Sequence, residues 1–438
     1  MSGARAALVA MGWRIGRIGY RLRNTWAGLR RRGLRGSVEA IAAELRRRAT
    51  MSAEPMAAST LPAGDTVADV LVIDQMLPDP TRDSGSVRLL AILRLLQASG
   101  RRVAFMPDNG RDVPEASARL RAIGVALIGL PGAPALPAWL KAAAGRRAMV
   151  LLCRCEVASR HLSLVRALAP DALAVFDTVD LHHLRERRAA RRAGDARGLA
   201  RVRRIERMEL DLVARCDATL VVSTVERDYV AERCPQARIE VLSNVHEARG
   251  PGPAFTARHG MIFIGGFGHP PNREAVAWLV GEILPRVREA LPGLPLHLVG
   301  DVPPKDAAAL ERAGVTVHGR VVELAPLLDA ARVSVAPLLS GAGVKGKINT
   351  AMSHGLPVVT TRIGAEGMHL AHGHDALIVE DASAFAAAVV DLHEDEALWN
   401  RLVRGGLENV EAHFSPAAAA RTLEALLPRP AGTARGPT

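Results

Sequence analysis

Two lysines lie two residues apart in the glycine-rich stretch GAGVKGKINTAMSHGLPVV, residues 341–359. Lysine is scarce in this chain, because Lys345 and Lys347 are half of the four lysines among 57 lysines and arginines. An apolar strand-like run precedes the stretch and a helix-like run follows, so free amides and the positive helix end would face a ligand. Glycines let the backbone approach a phosphate closely, and they stand at Gly341, Gly343 and Gly346.

The spacing predicts a phosphate-binding loop, with Lys345 in the loop and Lys347 in the first helical turn. A solvated basic turn is the alternative interpretation. The same residues fit G-x-x-x-x-G-K, the pattern of a nucleoside-triphosphatase loop. That loop needs Ser or Thr at the next position to ligate magnesium, and Ile348 stands there, so the pattern disfavours a nucleoside triphosphatase.

Short apolar runs alternate with helical stretches after residue 67, which is typical of parallel sheets wrapped by helices. A Gly/Pro-rich break at 246–260 separates seven runs from six. The pattern predicts two doubly wound α/β domains, with ligand-binding loops at the carboxyl ends of their strands. The runs cover 67–74, 101–106, 125–130, 148–153, 173–177, 218–223, 239–244, 261–266, 296–300, 315–319, 333–338, 357–361 and 376–380, and a charged segment at about 180–215 is predicted to be helical.

The predicted organisation has four parts. A basic leader and linker cover 1–66, and an N-terminal α/β domain covers 67–248. A C-terminal domain covers 249–427, and a tail covers 428–438. Facing domains of this kind would form a cleft between their strand-end loops.

The net charge of +12 is concentrated in the leader, because residues 1–48 contain twelve arginines and two glutamates. Apolar residues recur at three- and four-residue steps among these arginines, which favours a basic amphipathic helix on an anionic membrane surface. A disordered arm and a tether for a partner protein are the alternatives. No pattern of base-stacking aromatics supports binding to nucleic acid.

The chain lacks a run of about 18 apolar residues that could span a bilayer, and it lacks the order of segments found in a signal peptide. We therefore expect a cytoplasmic protein, with peripheral attachment to the inner face of the cytoplasmic membrane as an option. The four cysteines form no CxxC pair, which favours reduced thiols over a metal or redox site.

The second half of the sequence resembles the nucleotide-sugar-binding domain of GT-B glycosyltransferases of family 4, the glycosyl transferases group 1 set. The resemblance covers nearly all of 261–427 and is carried by the blocks 263–285, 317–348 and 352–368. The first half is similar to the acceptor domain of the bacterial polysaccharide and O-antigen subset, through the stretches 71–96, 176–186 and 220–230.

This resemblance implies the GT-B fold, in which two Rossmann-like domains face each other across a cleft. It also implies a retaining transfer of a sugar from a nucleoside-diphosphate donor to a bacterial surface glycan, such as O-antigen, capsule or exopolysaccharide. A glycan or a lipid-linked glycan would be the acceptor. No cofactor is expected, because GT-B enzymes generally need no catalytic metal and the spacing here is D-x-x-D rather than D-x-D.

The resemblance implies roles for residues on both sides of the predicted cleft. Gly265 and Gly266 would approach the donor's diphosphate, whose growing negative charge Lys345 and Lys347 would neutralise. The main chain near Arg320 and Val321 would receive the base. The other donor-side candidates are Asn272, Gly341, Gly343 and Glu366, and the acceptor-side loop would comprise Asp83, Ser84, Gly85 and Ser86.

The stretch FDTVDLHHLRE, residues 176–186, supplies the catalytic candidates Asp180 and His182. At the cleft they could orient the acceptor hydroxyl or contact the sugar near its anomeric carbon. For Asp180, a helix N-cap is an equal alternative.

One departure from the family pattern bears on activity. Members commonly carry two glutamates eight positions apart in the lysine loop and its helix, where this chain has Ala342 and Thr350. The second glutamate usually binds the ribose hydroxyls, and Glu366 is the nearest carboxylate by motif, with a simple loop turn as its alternative. A catalytically degenerate GT-B scaffold for polysaccharide assembly is therefore the rival hypothesis, and a sugar-nucleotide epimerase is a third.

Overall fold

A computed structural model describes residues 6–13, 16, 67–81, 83–192 and 194–427 of the chain. They form two compact units, which are described separately: the described residues up to Leu77 with Leu96–Phe176, and Pro78–Leu95 with Asp177–Leu427. The predicted linker, the tail and most of the leader lie outside the described residues. The predicted domain boundary at residue 249 stays a prediction.

Every apolar run that predicted a strand coincides with one, although most strands are shorter than the runs and β2 ends one residue beyond its run. The first sheet has the order β3-β2-β1-β4-β5-β6-β7. Its strands are β1 (Val70–Asp74), β2 (Val103–Pro107), β3 (Ala126–Leu127), β4 (Met149–Cys153), β5 (Leu173–Asp177), β6 (Ala218–Val221) and β7 (Ile239–Val241). All residues of β1, β2 and β4 are buried, as expected of parallel strands covered on both faces.

The second sheet has the order β10-β9-β8-β11-β12-β13. Its strands are β8 (Met261–Ile264), β9 (Leu296–Val299), β10 (Val315–Gly319), β11 (Val333–Ala336), β12 (Val358–Thr360) and β13 (Leu377–Ile378). The strand order reverses between β8 and its parallel neighbour β11. Open α/β sheets bind ligands at the carboxyl ends of strands beside such a reversal.

Helices connect the strands in both units. They are α1 (Ser84–Ala98), α2 (Pro114–Ala122), α3 (Leu136–Ala143), α4 (Cys155–Leu168), α5 (His182–Arg192), α6 (Ala196–Arg215) and α7 (Thr224–Arg233). After a 3₁₀ turn at Phe255–Ala257 they are α8 (Pro270–Trp278), a π-helical turn (Leu279–Ile283), α9 (Leu284–Ala290), α10 (Pro304–Arg312), α11 (Ala325–Ala330), α12 (Gly346–Ser353), α13 (Arg362–Ala365), α14 (Ala382–Glu394), α15 (Glu396–Phe414) and α16 (Pro416–Leu426).

Two local predictions need correction. The predicted acceptor-side loop is wrong in its local structure, because helix α1 already begins at Ser84 and contains Gly85 and Ser86. Asp83 accepts a hydrogen bond of 2.8 Å from the amide of Ser86, which satisfies a free donor of the first turn. The charged segment is helical but forms α5 and α6, separated by Gly194 at a φ of 62°.

A buried ion pair between Arg88 and Asp177 holds the start of the longer segment of the second unit. Arg88 on α1 donates to both oxygens of Asp177, at 2.7 and 3.0 Å. The same guanidinium donates to the carbonyl of Leu242 at 2.8 Å and to that of Ser243 at 3.2 Å. The pair therefore ties α1 to the chain around residue 177 and to the segment that follows β7.

The described part of the leader is a helical segment at residues 6–13. Trp13 donates from its indole to Nδ1 of His161 at 3.0 Å, while Nε2 of His161 lies 2.7 Å from Asp108. Leu8 and Met11 are 64% and 56% exposed. Within the described ranges, no helix combines the length and the apolar character that crossing a membrane requires.

Substitution Asp177→Asn tests the buried pair. Removing one charge of a buried pair leaves its partner uncompensated, so the free energy of unfolding should fall by about 3–5 kcal/mol. Asp69→Asn is the matched control, because Asp69 pairs with Arg102 at 2.8 Å on the surface and should cost less than about 1 kcal/mol. Urea unfolding followed by circular dichroism measures both, and equal losses would contradict the assignment.

Candidate anion-binding site

The loops after β8 and β9 approach each other so closely that only glycine fits. A Cβ on Gly265 would lie 2.7 Å from the side chain of Asn272, and one on Gly300 would lie 2.5 Å from the backbone of Gly265. Gly300 has a φ of 145°, which also favours glycine. The glycines thus form a backbone cradle at the carboxyl end of β8, beside the N-terminus of α8.

The loop after β11 places both predicted lysines beside this cradle. Lys345 immediately precedes α12 and Lys347 lies in its first turn, as predicted. The ammonium of Lys347 donates to Oδ1 of Asn272 at 2.5 Å and lies 4.5 Å from the centre of the Phe263 ring. Because the amide of Asn272 also donates to the carbonyl of Gly266 at 2.8 Å, this side chain joins the two loops.

Both ammonium groups are poorly compensated. Burial lowers the pKa of Lys345 to about 8, with Glu366 opposing the decrease and Arg188 adding to it. Burial and the neighbouring Lys345 lower the pKa of Lys347 to about 7. Nζ of Lys345 donates to the carbonyl of Gly343 at 2.6 Å. A bound anion would supply the missing negative charge, so the arrangement fits a phosphate or diphosphate.

The predicted acceptor-side residues meet the lysine loop within the second unit. A Cβ on Gly346 would lie 2.9 Å from Cβ of Ser84, at the start of α1. A Cβ on Gly343 would lie 3.6 Å from Cβ of Asp180. Residues that the sequence assigned to separate roles are therefore neighbours here, although their roles stay predictions.

The catalytic candidates lie in a strained turn. Val179 has a φ of 62°, a conformation that a β-branched residue rarely adopts, and its amide donates to Asp177 at 3.2 Å. The carboxylate of Asp180 accepts from Arg185 and lies 3.1 Å from Nε2 of His182. The amide of His182 donates to Glu209 at 2.9 Å, which holds the first turn of α5.

Glu226 is a buried carboxyl that the sequence analysis missed. It accepts from the amides of Leu181 and Val222 at 3.4 and 3.3 Å, and it lies 3.8 Å from the position of a Cβ on Gly343. Burial, reinforced by the charge of Asp180, raises its pKa to about 7. The pattern Ser223-x-x-Glu226 is a capping-box signature, so a helix start was the available signal.

Arg188 and Arg192 on α5 were also missed, because nothing distinguishes them within a run of arginines. Arg188 donates to both oxygens of Glu366 at 2.9 Å and to the carbonyl of Gly341 at 2.6 Å. Arg192 donates to the carbonyl of Leu339 at 2.7 Å. The structure therefore pairs Glu366 with an arginine.

Two further donor-side candidates lie at the carboxyl end of a strand of the second sheet. Arg320 and Val321 follow β10 at its carboxyl end, and Arg320 lies 3.6 Å from Asp301 in the loop after β9. At one position of the missing glutamate pair, the hydroxyl of Thr350 donates to the carbonyl of Gly346 at 2.9 Å. A threonine engaged with its own helix replaces the carboxylate there.

Comparisons with known proteins show what the chain is similar to. Residues 258–395 match the model of the family described as glycosyl transferases group 1. This match confirms the resemblance inferred from the sequence for that part of the chain. An uncharacterized 44.6 kDa protein in the cps region of Klebsiella pneumoniae is 28% identical over 140 residues. That match covers 30% of this chain and 36% of the relative's length.

Solved structures share the fold. A sucrose-phosphate synthase from Thermosynechococcus elongatus is 19% identical with a TM-score of 0.63, over 82% of this chain and 97% of that one. Alr3699/HepE of Anabaena, in complex with UDP and glucose, is 12% identical with a TM-score of 0.60, over 82% and 99%. The predicted GT-B fold class is confirmed by these likenesses and by the two parallel sheets.

Because lysine is scarce in this chain, the pKa of Lys347 can be measured individually. Asn272→Asp would place a carboxylate beside the ammonium of Lys347 and should raise the pKa of that lysine from about 7. A titration of the lysine ¹³Cε resonances by NMR can follow it, because the chain has four lysines and Lys141 and Lys305 are exposed. An unchanged titration of Lys347 would contradict the described contact.

Proposed function

We propose that the chain transfers a sugar from a nucleoside-diphosphate donor to a bacterial surface glycan. The observation that carries this proposal is the pair of undercompensated ammonium groups of Lys345 and Lys347. They lie beside the glycine cradle at the strand-order reversal of the second sheet. A diphosphate supplies two negative charges where the fold concentrates free amides and two cations.

The lysines would act mainly on the leaving group. As the bond between sugar and phosphate breaks, negative charge grows on the diphosphate, and fixed cations stabilise that state more than the ground state. We therefore propose that this role is filled by the two lysines without a catalytic metal. Because an ammonium must be protonated to act, activity should decline as the pH rises above about 7 to 8.

Asp180 and His182 are the proposed contacts to the reacting sugar or to the acceptor hydroxyl. Their support is the short distance from Asp180 to Gly343 in the lysine loop. Retention of anomeric configuration is proposed from the family resemblance. The glycine cradle, with Arg320 and Val321 at the next strand ends, would receive the nucleotide.

Two findings narrow the substrates to be tested. Alr3699/HepE was solved with UDP and glucose, which makes UDP-glucose the first donor to examine. The relative in a cps region favours a capsular glycan over O-antigen or exopolysaccharide as the acceptor. A cytoplasmic location, where nucleotide sugars are made, accompanies this proposal.

The double substitution Lys345→Ala, Lys347→Ala tests the function. Loss of one preorganised donor costs about 10²–10³ in rate, so removing both cations should lower transfer at least that much. Lys141→Ala with Lys305→Ala is the matched control on exposed lysines and should transfer at the unsubstituted rate. Transfer is measured with UDP-, GDP- and dTDP-sugars, with and without EDTA.

The same assay distinguishes the transferase from the two rival hypotheses, a scaffold and an epimerase. Folded, unsubstituted protein that neither binds nor hydrolyses any of these donors would contradict the enzymatic proposal and favour the scaffold. An epimerase would instead invert one carbon of the donor sugar without an acceptor, and its product would still be a nucleotide sugar.

We also propose that the leader attaches the protein to an anionic membrane surface. The support is twofold: twelve arginines in residues 1–48, and a described helical segment that exposes Leu8 and Met11 while Trp13 bonds to His161. Exposed apolar side chains next to arginines are suited to the interface of an anionic bilayer. A lipid-linked acceptor would give this attachment a purpose.

Vesicle sedimentation tests the attachment. Leu8→Ser with Met11→Ser should weaken binding to vesicles that contain phosphatidylglycerol, because apolar area is lost from the interface. Val113→Ser is the matched control, since Val113 is an exposed apolar residue outside the leader. Deletion of residues 1–48 should abolish binding, and unchanged sedimentation of the deleted protein would refute the proposal.

A further inference from the structure

Two arginines from α5 hold the lysine loop by its carbonyl groups. Arg188 and Arg192 are four residues apart on α5, so they lie on the same face of the helix. Arg188 donates to the carbonyl of Gly341 at 2.6 Å, and Arg192 donates to that of Leu339 at 2.7 Å. Two consecutive turns of one helix thus bind one short stretch of the loop after β11.

Each arginine is itself held by a carboxylate. Glu366, which follows α13, accepts a two-pronged contact from Arg188 at 2.9 Å for both pairs of atoms. Glu274 on α8 lies 3.5 Å from Nε of Arg192 and also accepts from the hydroxyl of Ser340 at 2.7 Å. Planar, two-pronged contacts fix orientation as well as distance. The loop is therefore held from α5, α8 and α13.

Fixing these carbonyls also fixes two amides. In a planar trans peptide the C=O and N–H bonds point in opposite directions. Carbonyls of Leu339 and Gly341 that face the arginines therefore turn the amides of Ser340 and Ala342 away from them. Among the residues that the structure describes, neither amide donates to another protein atom.

We propose that Arg188 and Arg192 are positioning residues for the donor's diphosphate, which they do not touch. They would set the backbone of residues 339–342 so that the amides of Ser340 and Ala342 converge with Lys345 on the anion. Glu366 would serve as the counter-ion of Arg188 rather than as a ligand of the ribose. This inference rests on the proposed function and adds a second set of residues to it.

The pH dependence of anion binding distinguishes this positioning role from a merely structural one, because it depends on the charges around Lys345. The groups that act on Lys345 are Glu366, Arg188 and Glu226, with Lys347 nearby. Arg188 lowers the pKa of Lys345, whereas Glu366 raises it. Anion binding requires the protonated lysine, so affinity should fall as the pH rises through the pKa of Lys345. Loss of Arg188 should move this fall to higher pH, and loss of Glu366 to lower pH.

Calorimetry with UDP, GDP and dTDP, each between about pH 6 and 9, tests the proposal on the full chain. Arg188→Gln should weaken nucleotide binding about 10- to 100-fold, as expected for lost charge-assisted hydrogen bonds. It should also shift the decrease in affinity to higher pH. Arg188→Lys keeps the positive charge but not the two-pronged contact of the guanidinium. It should therefore weaken nucleotide binding without changing the pH at which the affinity falls. Glu366→Gln should weaken binding and move the fall downward.

Controls separate this proposal from the proposed function. Arg201→Gln removes an arginine that pairs with Glu186 at 3.2 Å, away from the lysine loop, and should bind as the unsubstituted protein does. Thermal unfolding checks that each variant is folded. If Lys345→Ala abolishes binding but Arg188→Gln and Arg192→Gln bind normally with an unshifted pH dependence, the positioning role is refuted and the function stands. If unsubstituted protein binds none of the three nucleotides, both are refuted.

Discussion

Burial of two lysine ammonium groups, with no carboxylate of the described residues in contact, is the constraint around which the second unit is organised. Lys345 and Lys347 are held by a backbone carbonyl and by the amide oxygen of Asn272, which are neutral acceptors. Desolvation of a cation is costly unless charge or strong hydrogen bonds compensate for it. This cost falls at the carboxyl ends of β8 and β11, where the strand order reverses and where an anionic ligand would compensate the two charges.

The surrounding features follow from this constraint. The glycines at 265 and 300 bring two loops within backbone contact, which leaves no side chain between them. Asn272 links the cradle to Lys347, and the carboxylate of Glu366 is committed to Arg188. In the part of the chain that the structure describes, the two carboxylates that act on Lys345 are held by other groups, Glu366 by Arg188 and Glu226 by two backbone amides. A carboxylate in direct contact with either ammonium group would compete with an external anion for it.

Local pattern was enough to predict the strands and the lysine loop, but not the contacts between distant elements. Alternating apolar runs and glycine spacing are properties of neighbouring residues, so they predicted all the described strands and the start of α12. Asp83 shows where local pattern was misjudged, since an Asp before Ser-Gly-Ser was an available capping signal. The contacts of Arg188 with Glu366 and of Glu226 with Leu181 differ, because they join residues far apart in sequence and only packing reveals them.

Val179 shows how strain is distributed in this protein. A β-branched residue at a φ of 62° stores roughly 1–3 kcal/mol, and the buried contacts of Asp177 on one side and Glu226 on the other keep it there. Glycine at this position would relax the turn, yet it would also widen the range of directions available to Asp180. The stability of the turn and a fixed direction for the side chain of Asp180 are therefore opposed at Val179. This residue lowers the stability of the turn but restricts the orientation of Asp180.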